Sequence, residues 1–146
     1  MDTVVEKKRI LMVDDEVSFA RMVKLNLEKS GQFEVRTESK ATYALTAARE
    51  FKPDLILLDV IMPSMDGGDV ANQFKHDRQF KDVPIIFLTA TVSKREAGEG
   101  GLNSGGDLFL AKPVSVEALV HCINERTKKP EPPLEPAADA PPASAP

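Results

Sequence analysis

The sequence predicts an α/β fold, a parallel sheet sandwiched between helices, and two observations carry that prediction. Five short runs rich in Ile, Leu, Val and Phe alternate with stretches whose apolar residues recur at helical spacing. Such alternation builds strand–helix–strand units with right-handed crossovers. In addition, four of the runs finish in polar residues: Asp14 with Asp15, Asp59, Thr89, and Lys112. A strand buried on both faces reads as a continuous apolar run, so these polar residues mark strand ends that face one edge of the sheet.

In chain order, Arg9-Ile10-Leu11-Met12-Val13 is the first strand and stops at Asp14-Asp15-Glu16. From Val17 the period turns helical: Phe19, Val23 and Leu27 lie four apart, Met22 joins their face, and Gly31 supplies a C-terminal cap. Phe33-Glu34-Val35-Arg36-Thr37 alternates, as a strand nearer the sheet edge does. Ala41, Ala44, Leu45 and Ala48 mark a second amphipathic helix that ends before Pro53. Asp54-Leu55-Ile56-Leu57-Leu58-Asp59-Val60 is the third strand, followed by the turn-forming Met62-Pro63-Ser64-Met65-Asp66-Gly67. Asp66 suits the cap of a third helix through Val70, Ala71 and Phe74, with Asp69 at the capping-box position. Val83–Ala90 is the fourth strand, and Pro84 is tolerable near its start.

Asp107-Leu108-Phe109-Leu110-Ala111 is the fifth strand, and Val116, Leu119, Val120 and Ile123 space a last helix capped by Ser115. Between the fourth and fifth strands the pattern weakens. Gly98, Gly100, Gly101, Gly105 and Gly106 crowd the segment Gly98–Gly106, and each costs a helix interior about 0.8–1.0 kcal/mol relative to Ala. A short or frayed helix is expected there, with a long loop as the even alternative. Residues 1–7 read as an N-terminal extension and 8–127 as one folded domain. Residues 128–146 hold seven of the eleven prolines and almost no apolar bulk, so burial there cannot offset the entropy of ordering. That tail is expected to be an extended linker or terminus.

At 146 residues the chain has room for one full core, and 42% hydrophobic with 29% charged residues suits a globular domain. The net charge of −4 argues against a nucleic-acid partner. No run approaches the roughly 20 apolar residues of a membrane span, and the polar, acidic Met1-Asp2-Thr3 is unlike a secretory leader. A cytoplasmic location follows as the simplest expectation. Cys122 is single and falls on the apolar face of a helix, where an inert buried thiol is expected; His76 and His121 have no ligand-spaced partner.

In a doubly wound sheet the four polar strand ends converge. Three carboxylates within a few ångströms repel, by about 4 kcal/mol for one pair at 4 Å and an effective dielectric near 20. Lys112 alone does not balance them, and a hard divalent ion with oxygen ligands, Mg2+ above all, completes the set. Such a site suits phosphoryl transfer to a carboxylate, with Lys112 as a point charge on the phosphate and Thr89 donating a hydroxyl hydrogen bond. Singly, each residue has an ordinary account. Asp14, Asp15 or Glu16 can cap the first helix, Asp59 the following turn, and Lys112 can be a surface lysine. Asp54, at the entry end of its strand, is given only a structural role. What those accounts leave over is that all the polar ends follow apolar strands in one phase.

The pieces Ile10-Leu11-Met12-Val13-Asp14-Asp15-Glu16, Leu57-Leu58-Asp59-Val60-Ile61-Met62-Pro63 with Met65-Asp66-Gly67, Pro84–Ala90, and Lys112-Pro113 resemble the receiver domain of two-component response regulators. They span about residues 8–127 in the family's order. The resemblance implies a doubly wound, flavodoxin-like sheet of five parallel strands in the order 2-1-3-4-5, flanked by five helices. It implies that Asp59 accepts a phosphoryl group from a histidine kinase or phosphotransfer protein. Asp15 and Asp59 would hold Mg2+ with the backbone carbonyl of Ile61, and Asp14 would act largely through water. Thr89 and Lys112 would bind phosphoryl oxygens, Phe109 would be the aromatic partner of Thr89 in the switch, and Lys112-Pro113 would be the cis peptide. An unidentified downstream protein would read the state on the face of the fourth helix, fifth strand and fifth helix, in which the Gly98–Gly106 segment lies and is expected to be labile. Ile61 and Thr91 flank the site without an acid or amide to orient water, so slow self-dephosphorylation is expected, with no other enzymatic turnover.

Two rivals stand beside this. One is a receiver-like interaction module that is never phosphorylated, although the acidic set it would lack is present. The other is a metal-dependent phosphohydrolase, which needs a second acid close to its nucleophile, whereas Val60-Ile61-Met62 follows Asp59. Whether the tail ends a stand-alone receiver or leads to a further domain stays open.

Overall fold

A computed structural model describes residues 7–60, 62, 65, 67–89, 102–104, 107–112 and 114–127, with the backbone alone at 102–104 and 107. Strand residues alternate between the two faces of a sheet, and here both faces are apolar. Ile10 and Met12 of β1 (Lys8–Val13) point one way, together with Leu55 and Leu57 of β3 (Leu55–Asp59) and Ile86 and Leu88 of β4 (Ile85–Thr89). Their neighbours Leu11, Val13, Ile56, Leu58, Ile85 and Phe87 point the other way. A sheet built so must be covered twice. Helices α1 (Val17–Lys29) and α4 (Val116–Thr127) cover the first face through Ala20, Val23, Leu27, Leu119, Cys122 and Ile123. Helices α2 (Ala44–Phe51) and α3 (Gly67–Lys75) cover the second through Ala44, Ala47, Ala48, Val70, Ala71 and Phe74.

The strand order is β2-β1-β3-β4-β6-β5, with β2 at Phe33–Glu38, β5 at Leu102–Ser104 and β6 at Asp107–Ala111. The pairs β1–β2, β1–β3, β3–β4 and β4–β6 are parallel. These five parallel strands have the expected order. The additional strand corrects one expectation: across 102–104 the chain is not helical but pairs antiparallel with β6, Leu102 opposite Phe109 and Ser104 opposite Asp107. A helix through this segment would lose stability at each of its glycines, and a three-residue strand makes no such demand. The rest of the Gly98–Gly106 segment, the expected Asp66 cap and the Lys112-Pro113 peptide lie outside the described residues, among which four α-helices are found.

Local signals behave as their chemistry requires. Gly31 takes a left-handed φ of 78° and its N–H bonds the Glu28 carbonyl at 3.1 Å, closing α1. Ser115 Oγ accepts the Ala118 N–H at 3.1 Å and caps α4. Helix α2 is entered through a 3-10 turn at Ala41–Tyr43 and closed by Lys52 at φ 57°, just before Pro53. Met22 departs from expectation: it is 47% exposed, and Ala20, Val23 and Leu27 form the buried stripe of α1. Asp54 is structural, as expected, since its carboxylate accepts the Arg9 N–H at 2.8 Å and its own N–H bonds the Arg9 carbonyl at 2.7 Å.

Strand β2 is a sheet edge, and α1 covers part of it. Lys24 Nζ donates to the Val35 carbonyl at 2.7 Å, while Glu28 Oε2 accepts the Val35 N–H at 3.0 Å and the Lys24 ammonium at 3.1 Å. Burial pushes the Glu28 carboxyl up, but the Val35 N–H and the Lys24 ammonium outweigh it and hold the group below its ordinary range. A depressed carboxyl contributes stability that is present above its unfolded pKa and lost as pH falls through its folded one. Glu28→Gln is therefore expected to lower unfolding free energy by about 1 kcal/mol at neutral pH. In urea unfolding the gap to the parent protein should close below about pH 4; a gap that persists in acid would show that the carboxylate charge is not its source.

Candidate functional site

The sheet register brings four strand ends to one edge. The Asp14 N–H bonds the Glu38 carbonyl at 3.0 Å, Val60 N–H the Leu88 carbonyl at 3.2 Å, and Lys112 N–H the Thr89 carbonyl at 3.0 Å. Each polar residue is thus fixed by the ladder that ends beside it. Asp14, Asp59 and Thr89 are 1%, 6% and 1% exposed, the buried polar residues among those described. Asp15, next along from Asp14, is more exposed.

Lys112 is the counter-charge of this edge. Its Nζ lies 2.9 Å from Asp14 Oδ2, 3.0 Å from Glu16 Oε1 and 3.4 Å from Asp59 Oδ1. The Asp14 contact is an ion pair rather than a well-directed hydrogen bond, whereas Asp14 Oδ1 accepts the Glu16 N–H at 2.9 Å. Nζ also stands 4.6 Å from the centroid of the Phe19 ring, within the range of a cation–π contact. Burial pushes the ammonium's pKa down, but the close contacts with Asp14 and Glu16 and the charges of Asp14 and Asp59 outweigh it. The group is held above the ordinary lysine value, protonated throughout the neutral range.

One oxygen each from Asp14, Asp15 and Asp59 lies within 4.8 Å of the others. Oxygens about 2.1 Å from Mg2+ stand about 3.0 Å apart when adjacent and about 4.2 Å when opposite, so the three stand close enough to serve one cation, directly or through water. The charge agrees: Asp14, Asp15, Glu16 and Asp59 against Lys112 leave three negative charges in excess. The residues present fit a hard divalent cation.

The expected switch pair shares one face of the sheet. Thr89 and Phe87 alternate along β4, and their register partners on β6 are Ala111 and Phe109. The Phe109 ring stacks on Phe87, with centroids 4.7 Å apart and planes 13° from parallel. Phe109 is half-buried while Phe87 is buried, so one ring of the stack retains access to solvent. The carbonyl of Ile61 and the side chain of Thr91 lie outside the described residues. His76 and His121 are exposed and apart from the pocket, and burial pushes the Cys122 thiol up, leaving it inert as expected.

Three contributors are not evident in the sequence as site residues. Glu16 reads there as a first-turn acid and Phe19 as a core residue, since their contact with Lys112 is formed only by folding. Gly67 reads as a turn residue. Its N–H bonds the Val60 carbonyl at 2.7 Å, and a Cβ on it would stand 2.4 Å from the Asp59 carbonyl oxygen. The Met65-Asp66-Gly67 turn was the available signal.

The response regulator receiver domain model matches residues 10–124. The DNA-binding response regulator MtrA of Mycobacterium tuberculosis is 39% identical over 129 residues, which are 88% of this chain and 54% of that protein. The chain thus spans about half the length of the curated relatives it matches. Among solved structures, the chemotaxis protein CheY4 of Vibrio cholerae aligns with a TM-score of 0.70 and 31% identity, covering 82% of this chain and 98% of that one. A CheY-like receiver domain protein of Methanospirillum hungatei aligns with a TM-score of 0.69 and 29% identity, over 84% of this chain and 94% of that one.

The chain belongs to the response regulator receiver domain family, the phospho-accepting class of two-component signalling. Proteins of this class are switches that work with histidine kinases or phosphotransfer partners rather than enzymes with a turned-over substrate. No helix among the described residues is long and apolar enough to cross a membrane.

Proposed function

We propose that Asp59 is the phosphoacceptor of a receiver spanning residues 8–127, which acts in the cytoplasm and carries residues 128–146 as a linker or terminal tail. The observation that carries this is the placement of Asp59. It ends the central strand β3, 3.4 Å from the Lys112 ammonium that also meets Asp14, beside acids close enough to share a cation. An Asp59 carboxylate oxygen attacks phosphorus of a phosphohistidine, the P–N bond breaks, and an aspartyl-phosphate forms. A bound Mg2+, held by Asp15, Asp59 and the Ile61 carbonyl with Asp14 acting through water, would neutralise charge on the transferring group. Lys112 exchanges its contact with Asp59 Oδ1 for a phosphoryl oxygen, and the Thr89 hydroxyl donates to another.

The output follows from the same edge. Thr89, drawn toward the phosphoryl group, vacates space one register step from Phe109 and favours a buried rotamer of that ring. The equilibrium moves only as far as the phosphorylated site prefers one state. The downstream protein docks on β6, α4 and the chain joining β4 to β5. Loss of phosphate is slow, because neither Ile61 nor Thr91 supplies an acid or amide to orient water.

Incubation with Mg2+ and a small phosphodonor is expected to add one phosphoryl mass to the intact protein, and Asp59→Asn to abolish the gain. The decay of that mass after donor removal reads the lifetime. A gain retained in Asp59→Asn would assign the acceptor elsewhere, and no gain with any donor would make the protein an interaction module.

A further inference from the structure

The start of α1 makes two contacts with Lys112 that phosphoryl transfer does not require. Glu16 Oε1 reaches Nζ at 3.0 Å across 96 residues of sequence, and the Phe19 ring faces the same nitrogen at 4.6 Å. The other two partners, Asp14 Oδ2 at 2.9 Å and Asp59 Oδ1 at 3.4 Å, belong to carboxylates that lie close enough to share a cation. Lys112 therefore has an inner pair of partners that a metal also needs and an outer pair that it does not.

We propose that Glu16 and Phe19 are positioning residues that share the Lys112 ammonium with Asp14 and Asp59 and so weaken its competition with the divalent cation. This rests on the pocket being the receiver's metal site. A lysine is a point charge on a flexible stem, and its resting place is set by the sum of its partners. Without the outer pair, Nζ is held by Asp14 and Asp59 alone, and an incoming cation must displace it with no alternative partners to receive it. The two outer contacts differ usefully. Glu16 is 62% exposed in its side chain and supplies charge that solvent screens. Phe19 attracts the ammonium through its ring face while adding no charge.

Calorimetric titration of the unphosphorylated full chain with Mg2+ tests this. Glu16→Asp keeps the charge but shortens the reach, and Phe19→Leu keeps apolar bulk but removes the ring. Each is expected to raise the Mg2+ Kd about two- to fivefold, while Phe19→Tyr, which restores a ring face, stays at the parent value. Thermal unfolding establishes that the variants are folded, and Glu16→Asp, at an exposed position, provides the result should Phe19→Leu not fold. Parent affinity in Glu16→Asp overturns the proposal, as does weakening by Glu16→Gln without weakening by Glu16→Asp, the signature of bulk charge. A parent protein that binds no Mg2+ also overturns it. The receiver reading is judged separately: shifted Mg2+ affinities without any phosphoryl gain would retain the positioning role and reject phosphorylation.

Discussion

Lys112→Met is expected to lower the stability of the metal-free protein by about 3 kcal/mol, and Mg2+ to restore most of it. The ammonium is 11% exposed in its side chain and faces Asp14 at 0% and Asp59 at 7%. Removing one partner of a buried ion pair leaves an uncompensated charge, at a cost of about 3–5 kcal/mol. The lower end applies because Asp14 Oδ1 keeps its bond from the Glu16 N–H. Urea unfolding at neutral pH, with a chelator and again with Mg2+, measures both halves of the expectation.

Any folded-state ligand stabilises by linkage, by about 2.7 kcal/mol at a hundred times its Kd. The parent protein should therefore also gain, and the discriminating quantity is a larger gain in Lys112→Met. Equal stability of parent and variant in chelator would mean that Lys112 is not the pocket's counter-charge. The lysine's titration does not disturb this comparison. A folded pKa above the unfolded value contributes stability that is fully present below the unfolded pKa, about 10.4, and is lost only as pH rises through the folded one.

The readable part of this chain is that governed by short-range periodicity. Ile10 to Val13, Leu55 to Leu58 and Ile85 to Leu88 are buried on both faces, and a continuous apolar run announces that condition directly. Because the strands are parallel, finding their ends in the sequence was nearly equivalent to finding the pocket, and Asp14, Asp59, Thr89 and Lys112 stand together for that reason. Strand β5 was hidden because three residues amid glycines carry no period. Its pairing with β6 exists only across the chain. Glu16 and Phe19 were hidden differently: each had a sufficient local account, and Lys112 is far away in sequence. The Lys24–Glu28 cover over the β2 edge is likewise made only by folding, because two helix residues four apart say nothing of the Val35 backbone beneath them.

Gly67 joins fold to chemistry, and Gly67→Ala is expected to damage both. In an ordinary helix position this change stabilises by about 0.5–1 kcal/mol, since Ala loses less backbone freedom. Here the added Cβ would stand 2.4 Å from the Asp59 carbonyl oxygen and 2.9 Å from the Val60 Cα, both backbone atoms that no rotamer change can move aside. The start of α3 must shift away from the end of β3, stretching the bond from the Gly67 N–H to the Val60 carbonyl, now 2.7 Å. Overpacking of this kind typically costs about 1–3 kcal/mol, so the sign of the helix expectation reverses. The same shift displaces the peptide that carries Asp59, the proposed phosphoacceptor, and a displacement near 1 Å can slow a positioned reaction about a hundredfold. Urea unfolding and the rate of phosphoryl mass gain, measured on the same variant, are expected to fall together. Lower stability with an unchanged rate would show that the β3 end holds Asp59 without help from α3, and an increase in stability would show that the close approach is relieved at no cost.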